Sequence, residues 1–314
     1  MKTKPHISVI SPVYAAEKII PELVKRIQEE LVKITSDFEI ILIDDGSADQ
    51  GWKVIVEQCE KFETVKGIKL SRNFGQHYAI TAGLGVARGS YIVILDCDLQ
   101  DNPAYIHSLY EKIKEGFDTV FTIRKNRKHS VFKQLTAWIY HRIFSLLSEK
   151  DFNLNMGSLV MFTDKVRKEF LRLKDQDRLY IQILKWVGFR QTAIPVEHNP
   201  RFEGRSSYSL LALMRIAFQG LTSHSDKLLR LSIYGGFIIA LISFAALVLI
   251  SMMYLVYGFQ AGWPSVICSI LLSSGLILTS IGITGLYIGK TFEQSKNRPL
   301  FIIDEKVNIV DEIS

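Results

Sequence analysis

The chain of 314 residues carries only three cysteines, Cys59, Cys97 and Cys268, scattered and without a CxxC pair. That spacing indicates neither a disulfide framework nor a thiolate zinc site, and it suits a reducing compartment. There is no GxxxxGK[ST] phosphate loop, and Asn153-Leu154-Asn155 is no glycosylation acceptor. No signal peptide is expected, because residues 6–13 are too short and too strand-like for its apolar core. The largest absence is of charge. From Leu231 through Gly289 there is no Asp, Glu, Lys or Arg. A bilayer core takes about 20 apolar residues per helix. Gly258-Phe259-Gln260-Ala261-Gly262-Trp263-Pro264 breaks the run near its middle. The expectation is therefore two transmembrane helices, near 231–257 and 264–289, joined by a short turn. Lys227 and Arg230 precede the run, and Lys290, Lys296 and Arg298 follow it. The positive-inside rule then places both termini in the cytoplasm.

What is present outside that run reads as one soluble domain. The formal charge is +6. In a membrane protein this suits anionic headgroups and phosphate-bearing substrates, and no nucleic-acid recognition motif accompanies it. Apolar strand-like runs at 7–11, 38–43, 65–70, 91–95 and 119–123 alternate with helical spacing at 16–34, 50–62, 75–87 and 103–115. That alternation predicts an α/β domain with a mostly parallel, doubly wound sheet. Pro12 is expected to end the first strand. The predicted organisation is a catalytic domain over 1–205, a juxtamembrane amphipathic helix over 206–230, the membrane helices over 231–290 and a cytoplasmic tail over 291–314. The mixed aromatic and basic stretch 131–147 predicts a helix in the membrane interface. Residues 298–303 predict a short strand in the tail.

The most informative run is Asp96-Cys97-Asp98-Leu99-Gln100-Asp101, which follows the apolar strand Tyr91-Ile92-Val93-Ile94-Leu95. In open α/β sheets, ligands bind at the carboxyl ends of the strands. Asp96, Asp98 and Gln100 alternate, so a turning chain can aim three oxygen ligands at one hard cation. An acidic loop that caps the next helix at Asn102-Pro103 is the simpler alternative. Three further loops end strands at the same edge: Pro12 to Glu17, Asp44 to Asp49 and Ser71 to Gly75. Gly83-Leu84-Gly85-Val86-Ala87-Arg88-Gly89 imitates a dinucleotide fingerprint, but it closes a helix instead of opening one.

In order and spacing, SRNFGQ, AGLGVARGSYIVILDCDLQDNP, WVGF, RFEGRSSYS and the apolar tail ending in RPLFII resemble the inverting GT-A glycosyltransferases of family two. The likeness covers nearly the whole chain. It is strongest to the polyprenyl-phosphate branch, the bactoprenol glucosyltransferases and dolichyl-phosphate mannose synthases. That resemblance implies a GT-A domain followed by a two-helix transmembrane hairpin in the inner membrane. It implies transfer of a sugar from a nucleotide-sugar to a polyprenyl phosphate, for cell-surface glycans such as lipopolysaccharide. UDP-glucose is the first expectation for the donor, ahead of UDP-galactose, UDP-N-acetylglucosamine or GDP-mannose. By resemblance, Pro12 and Tyr14 shape the nucleobase pocket, Asp45 accepts from a base N–H, and Glu17 lies nearby. Asp96, Asp98 and Gln100 match the metal and diphosphate pattern, with Mg2+ or Mn2+ as the ion. Arg124 and Lys133 match acceptor-phosphate positions, and Arg201 and Arg205 match a phosphate clamp.

The chain departs from its relatives in several places. Ala15 stands where many have Asn, and Ser207 where Lys is common. Gly157-Ser158-Leu159-Val160 stands where many carry Gly-Asp-Phe-Arg, whose Asp is a candidate catalytic group. Asp177 is the fallback carboxylate. A dedicated base is dispensable, because a lipid monophosphate is mostly ionised near neutral pH, with a second pKa of about 6. Gln182-Ile183-Leu184-Lys185-Trp186 resembles the QxxRW of processive synthases. It keeps open a glycan or glycolipid acceptor; a non-catalytic scaffold subunit is the reading from another class. Small residues at Gly275, Ser280, Gly282 and Gly285 suit helix packing in a homo-oligomer.

Overall fold

A computed structural model of the protein describes residues 4–124, 156–197, 227–257 and 262–309. The segment expected as an interfacial helix at 131–147 and residues 206–226 of the expected juxtamembrane helix, and with them Lys133, Arg201, Arg205 and Ser207, lie outside the described residues. The chain divides into two compact units. One comprises Met1–Lys128, Asn153–Ser206 and Arg298–Ser314; the other comprises His129–Phe152 and Ser207–Asn297.

The first unit is an α/β sandwich around one sheet. Its strands are β1 (Ile7–Val13), β2 (Phe38–Asp44), β3 (Val65–Leu70), β4 (Tyr91–Ile94), β5 (Thr119–Arg124), β6 (Met156–Thr163), β7 (Gln191–Val196) and β8 (Ile303–Val307). The spatial order is β7-β5-β6-β4-β1-β2-β3-β8. Only β6 and β8 run against the others, since β4 and β5 each pair antiparallel with β6, and β3 pairs antiparallel with β8. β1 and β2 are buried along their whole length, as central strands covered on both faces must be. Alternate side chains supply two cores. Ile7, Val9 and Val13 face one layer with α1 (Ile20–Leu31), α2 (Gly51–Lys61) and α4 (Tyr105–Lys114). Ile10, Ile41 and Ile43 face the other, with α3 (Gln76–Val86), α5 (Asp164–Arg172) and α6 (Tyr180–Val187). In α1, Ile20, Leu23, Val24, Ile27 and Leu31 are the buried stripe, at the spacing of one helical face.

Two sequence expectations need correction. Pro12 does not end β1, which continues to Val13 with Pro12 level with Ile43 of β2. Pairing of β1 with β4 stops at Ile10 and Ile94, so the missing N–H falls where no β4 partner needs it. The tail strand begins at Ile303, where the 298–303 segment was expected to finish, and it joins the main sheet beside β3.

The glycine-rich decoy is a packing device. A Cβ on Gly89 would lie 2.5 Å from the Ser8 backbone nitrogen. Gly89 N–H instead donates to Ser8 Oγ at 2.7 Å. Ser8 Oγ donates to Glu39 Oε1 at 2.5 Å, Arg88 N–H donates to the same oxygen at 2.7 Å, and Lys66 Nζ holds Glu39 Oε2. This network seals the amino-terminal end of the sheet.

The second unit contains α7 (Lys227–Tyr257) and α8 (Trp263–Ser295), which touch each other. Among the described residues, the stretch Leu272–Ser295 is long and apolar enough to cross a membrane.

Candidate active site

The carboxyl ends of β1 to β4 carry four loops that are laced to one another. Asp45 N–H extends the β1 ladder by donating to Val13 O at 2.9 Å. Ala15 N–H donates to Ser47 Oγ at 3.1 Å and Glu17 N–H to Asp49 Oδ2 at 3.1 Å. Glu17 returns a bond, accepting from Gln50 N–H at 2.9 Å. Ala15 sits at φ 49°, a left-handed turn that aims the neighbouring Tyr14 outward, 54% exposed.

The second and third loops are joined through Asp45. Its carboxylate is 3% exposed, and its two oxygens accept from Phe74 N–H and Gly75 N–H, each at 2.8 Å. Gly46 is required here: at φ +67°, a Cβ would fall 2.4 Å from the Arg72 carbonyl carbon. Arg72 in turn lies over the Phe74 ring, 4.0 Å from its centre. Burial raises the Asp44 and Asp45 carboxyls above the usual range; hydrogen bonds from Ser47 to Asp44, and from Phe74 and Gly75 to Asp45, pull the other way. The expected base contact of Asp45 therefore falls on a carboxylate already gripped by the third loop.

The fourth loop holds the expected cation ligands. Gln76 Nε2 donates to Asp96 Oδ1 at 2.5 Å. Asp98 Oδ1 accepts from Gln100 N–H at 3.1 Å, and Leu99 between them stands at φ 56°. Asp96, Asp98 and Gln100 are all half-buried. Cys97 receives a backbone hydrogen bond from Tyr14, which brings the first and fourth loops together. Burial, then the charges of Asp96 and Asp98, push the Cys97 thiol up to about 12, so it stays protonated and is no nucleophile. Asp101 is 2% exposed and accepts from Ser158 Oγ at 2.6 Å and Leu159 N–H at 3.2 Å.

That last contact gives a physical reason for Ser158. A carboxylate at this position would meet the buried Asp101 head-on, and two like charges sharing a site oppose ionisation. A hydroxyl donates to Asp101 instead.

Arg124 closes β5 at the edge that bears Asp96, level with Val196 of β7. Asp177 is half-buried in the loop between α5 and α6, close enough that its charge helps raise the Tyr78 phenol. Tyr78 donates to Gln176 O at 2.8 Å. Asp177 is thus placed beside the first turn of α3, the turn whose Gln76 holds Asp96. Arg178 next to it is structural: buried, it donates to Leu173 O at 2.6 Å and Phe170 O at 3.2 Å. Gln182 to Trp186 lie within α6, with Trp186 64% exposed. Gln76, Ser47 and Asp49 tie these loops together; the sequence reading quoted them within its motifs but gave them no role. The signal for Gln76 was a polar residue opening a helix straight after Asn73-Phe74-Gly75.

Among the described residues, no three His, Cys, Asp or Glu side chains converge as a metal cage. The set that is present, two carboxylates and a carboxamide on one loop, is the chemistry of Mg2+ or Mn2+. Such an ion is held by one or two carboxylates and completed by substrate phosphates.

Residues 8–171 match the profile of Glycosyl transferase family 2. The chain belongs to glycosyl transferase family 2. Family relatives match it over nearly their whole length. The uncharacterized glycosyltransferase YkcC of Bacillus subtilis (strain 168) is 34% identical over 96% of this chain and 94% of its own. The undecaprenyl-phosphate 4-deoxy-4-formamido-L-arabinose transferase of Klebsiella pneumoniae (strain 342) is 30% identical over 96% and 93%. The fold is shared with the mannosyltransferase PcManGT from Pyrobaculum calidifontis, solved with GDP-Man and Mn2+, at a TM-score of 0.50 and 15% identity over 95% and 89% of the two chains. The family's GT-A architecture is thus the α/β sheet described above.

Proposed function

We propose that this protein is a membrane-anchored, inverting glycosyltransferase that moves a sugar from a nucleotide-sugar to a polyprenyl phosphate at the cytoplasmic leaflet. The observation that carries the reading is the laced edge of β1 to β4, where the loop of Asp96, Asp98 and Gln100 is tied to the Tyr14 turn through Cys97. Full-length relatives named for undecaprenyl phosphate support the acceptor class.

In this reading, Pro12 and Tyr14 form the wall of the nucleobase pocket, with Asp45 and Glu17 below it. Asp96, Asp98 and Gln100 hold a divalent ion; when bound, that ion neutralises charge on the leaving diphosphate. Arg124, Lys133, Arg201 and Arg205 bind the acceptor phosphate, a geometry that guanidinium groups match well. The acceptor oxygen is already ionised, so the residues chiefly align two phosphate groups that repel each other. Inversion follows from a single in-line attack at the anomeric carbon. Asp177 is the carboxylate kept in reserve as a base. The uncharged run through α7 and α8 supplies a two-helix anchor that keeps the site at headgroup level.

The test is a donor screen with the purified full-length protein and undecaprenyl phosphate, run with Mn2+, with Mg2+ and with chelator. Metal-dependent release of one nucleoside diphosphate, with formation of a glycosylated lipid, is expected. No lipid product from any UDP- or GDP-sugar would remove the acceptor assignment. An undiminished rate in chelator would remove the metal role of Asp96 and Asp98.

A further inference from the structure

The chain that follows α8 returns to the catalytic sheet and attaches where the donor loop begins. Gln176 Nε2 donates to Arg298 O at 3.1 Å. Ser71 N–H, the first amide of the 71–75 loop, donates to Ile302 O at 3.0 Å. β8 then pairs with β3, with a register shift between Lys69 and Leu70 at the edge of that loop. Lys69 Nζ is held by Glu305 Oε1 at 2.6 Å and Asp304 Oδ2 at 2.9 Å, and Trp52 Nε1 reaches Glu305 Oε2 at 3.2 Å. Asn308 Nδ2 closes the run, donating to Cys59 O at 2.7 Å and Val65 O at 2.9 Å. Phe301, Ile303 and Ile309 pack against the core under α3.

The placement of these ties is informative. Lys69 is level with Asp44 across the β2–β3 ladder, and its positive charge already acts on that carboxyl. Asp304 and Glu305 draw the Lys69 ammonium onto the tail. The loop beyond Lys69 is the one whose Phe74 and Gly75 amides grip Asp45. One tail segment thus fixes both the start of the loop and the cation beside its carboxylates.

We propose that residues 298–308 are a strap that positions the 71–75 loop of the donor site, with Asp304 and Glu305 as its positioning residues. This inference rests on the donor-site reading above. A strand that only covered a sheet edge would stabilise β3 without governing nucleotide affinity. A strap acts on the loop, and so on the Asp45 side of the donor pocket.

The experiment compares the full-length protein in detergent with its Asp304→Asn/Glu305→Gln variant. Two quantities are read: amide hydrogen exchange in a peptide spanning 71–75, and the affinity for UDP and for GDP in MnCl2. The variant should exchange about fivefold faster across 71–75. Its nucleotide affinity should fall about three- to tenfold, the scale set by losing two partly exposed ion pairs. Unchanged exchange overturns the strap. Faster exchange with unchanged nucleotide affinity overturns its role in the donor site. Faster exchange in a protein whose wild type binds neither nucleotide leaves the strap standing and removes the donor-site reading instead. If the double variant cannot be purified folded, Trp52→Phe removes one tie to Glu305 and is read the same way.

Discussion

Buried carboxylates stand at both ends of β2, Glu39 at one and Asp44 with Asp45 at the other, and the two ends are treated in opposite ways. At the amino-terminal end, Glu39 receives an ammonium from Lys66, a hydroxyl from Ser8 and an amide from Arg88. Its charge is cancelled in place. At the carboxyl-terminal end, Asp44 accepts from Ser47 and Asp45 accepts from two backbone amides. Among the described residues no salt bridge closes on either, and burial raises both carboxyls. A buried charge that is paired becomes costly to the fold once its partner is removed. Acidic groups hydrogen-bonded by hydroxyl and amide dipoles, with Lys69 and Arg72 acting on them without an ion-pair contact, keep part of their negative field, which suits the reception of a cation. The two ends of one sheet thus separate the residues that hold the protein together from those that are placed to act.

Perturbing each end in turn should expose that separation. Lys66→Met leaves Glu39 buried without its cation and should cost about 3–5 kcal/mol of stability, read by denaturant unfolding. Transfer per folded molecule should remain near wild type. Asp98→Ala should show the reverse: transfer falls about 100-fold or more, read as steady-state rates, with a thermal midpoint within a few degrees of wild type. If Lys66→Met abolished transfer in folded protein, the two ends would not be separable.

A smaller effect comes from His77, in the first turn of α3 beside Gln76. Burial lowers its pKa from 6.5 to about 4, and its Nδ1 is buried without a partner among the described residues. Between those values the unfolded chain binds a proton that the native state refuses. Stability is therefore complete above about 6.5 and declines as pH falls towards about 4, by about 3 kcal/mol over the whole window. His77→Gln should flatten that slope in pH-dependent unfolding. The smallest effect belongs to Asp45→Asn, whose amide can accept from only one of the two loop N–H groups. It should cost about 1–3 kcal/mol and loosen the 71–75 loop more than the sheet, as hydrogen exchange would show.

Much of this was legible in the sequence. β1 to β4 announce themselves as apolar β-branched runs, and each helix between them was found to within a few residues at its ends. The Asp96-to-Asp101 loop was readable as the turn that leaves β4, because its carboxylates follow an apolar strand directly. β6 and β7 were not anticipated, since the alternation breaks after Arg124 and antiparallel insertion of β6 between β4 and β5 depends on distant partners. β8 was displaced because Ile303-Asp304-Glu305-Lys306-Val307 gains its strand character only beside β3. The Glu39–Lys66 pair was invisible for the same reason, being made across neighbouring strands. At the site, the types of residue were legible and their mutual bonds were not: Gln76 on Asp96 and Ser158 on Asp101 join segments 20 and 57 residues apart.

The protonated sulfur of Cys97 has a practical corollary. Alkylating reagents attack thiolates, so this cysteine should ignore iodoacetamide while its burial and its bond to the Tyr14 backbone persist. Any excursion of that turn admits water and reagent together. The pace of carbamidomethylation at this one atom then serves as a stopwatch for how often that turn swings open.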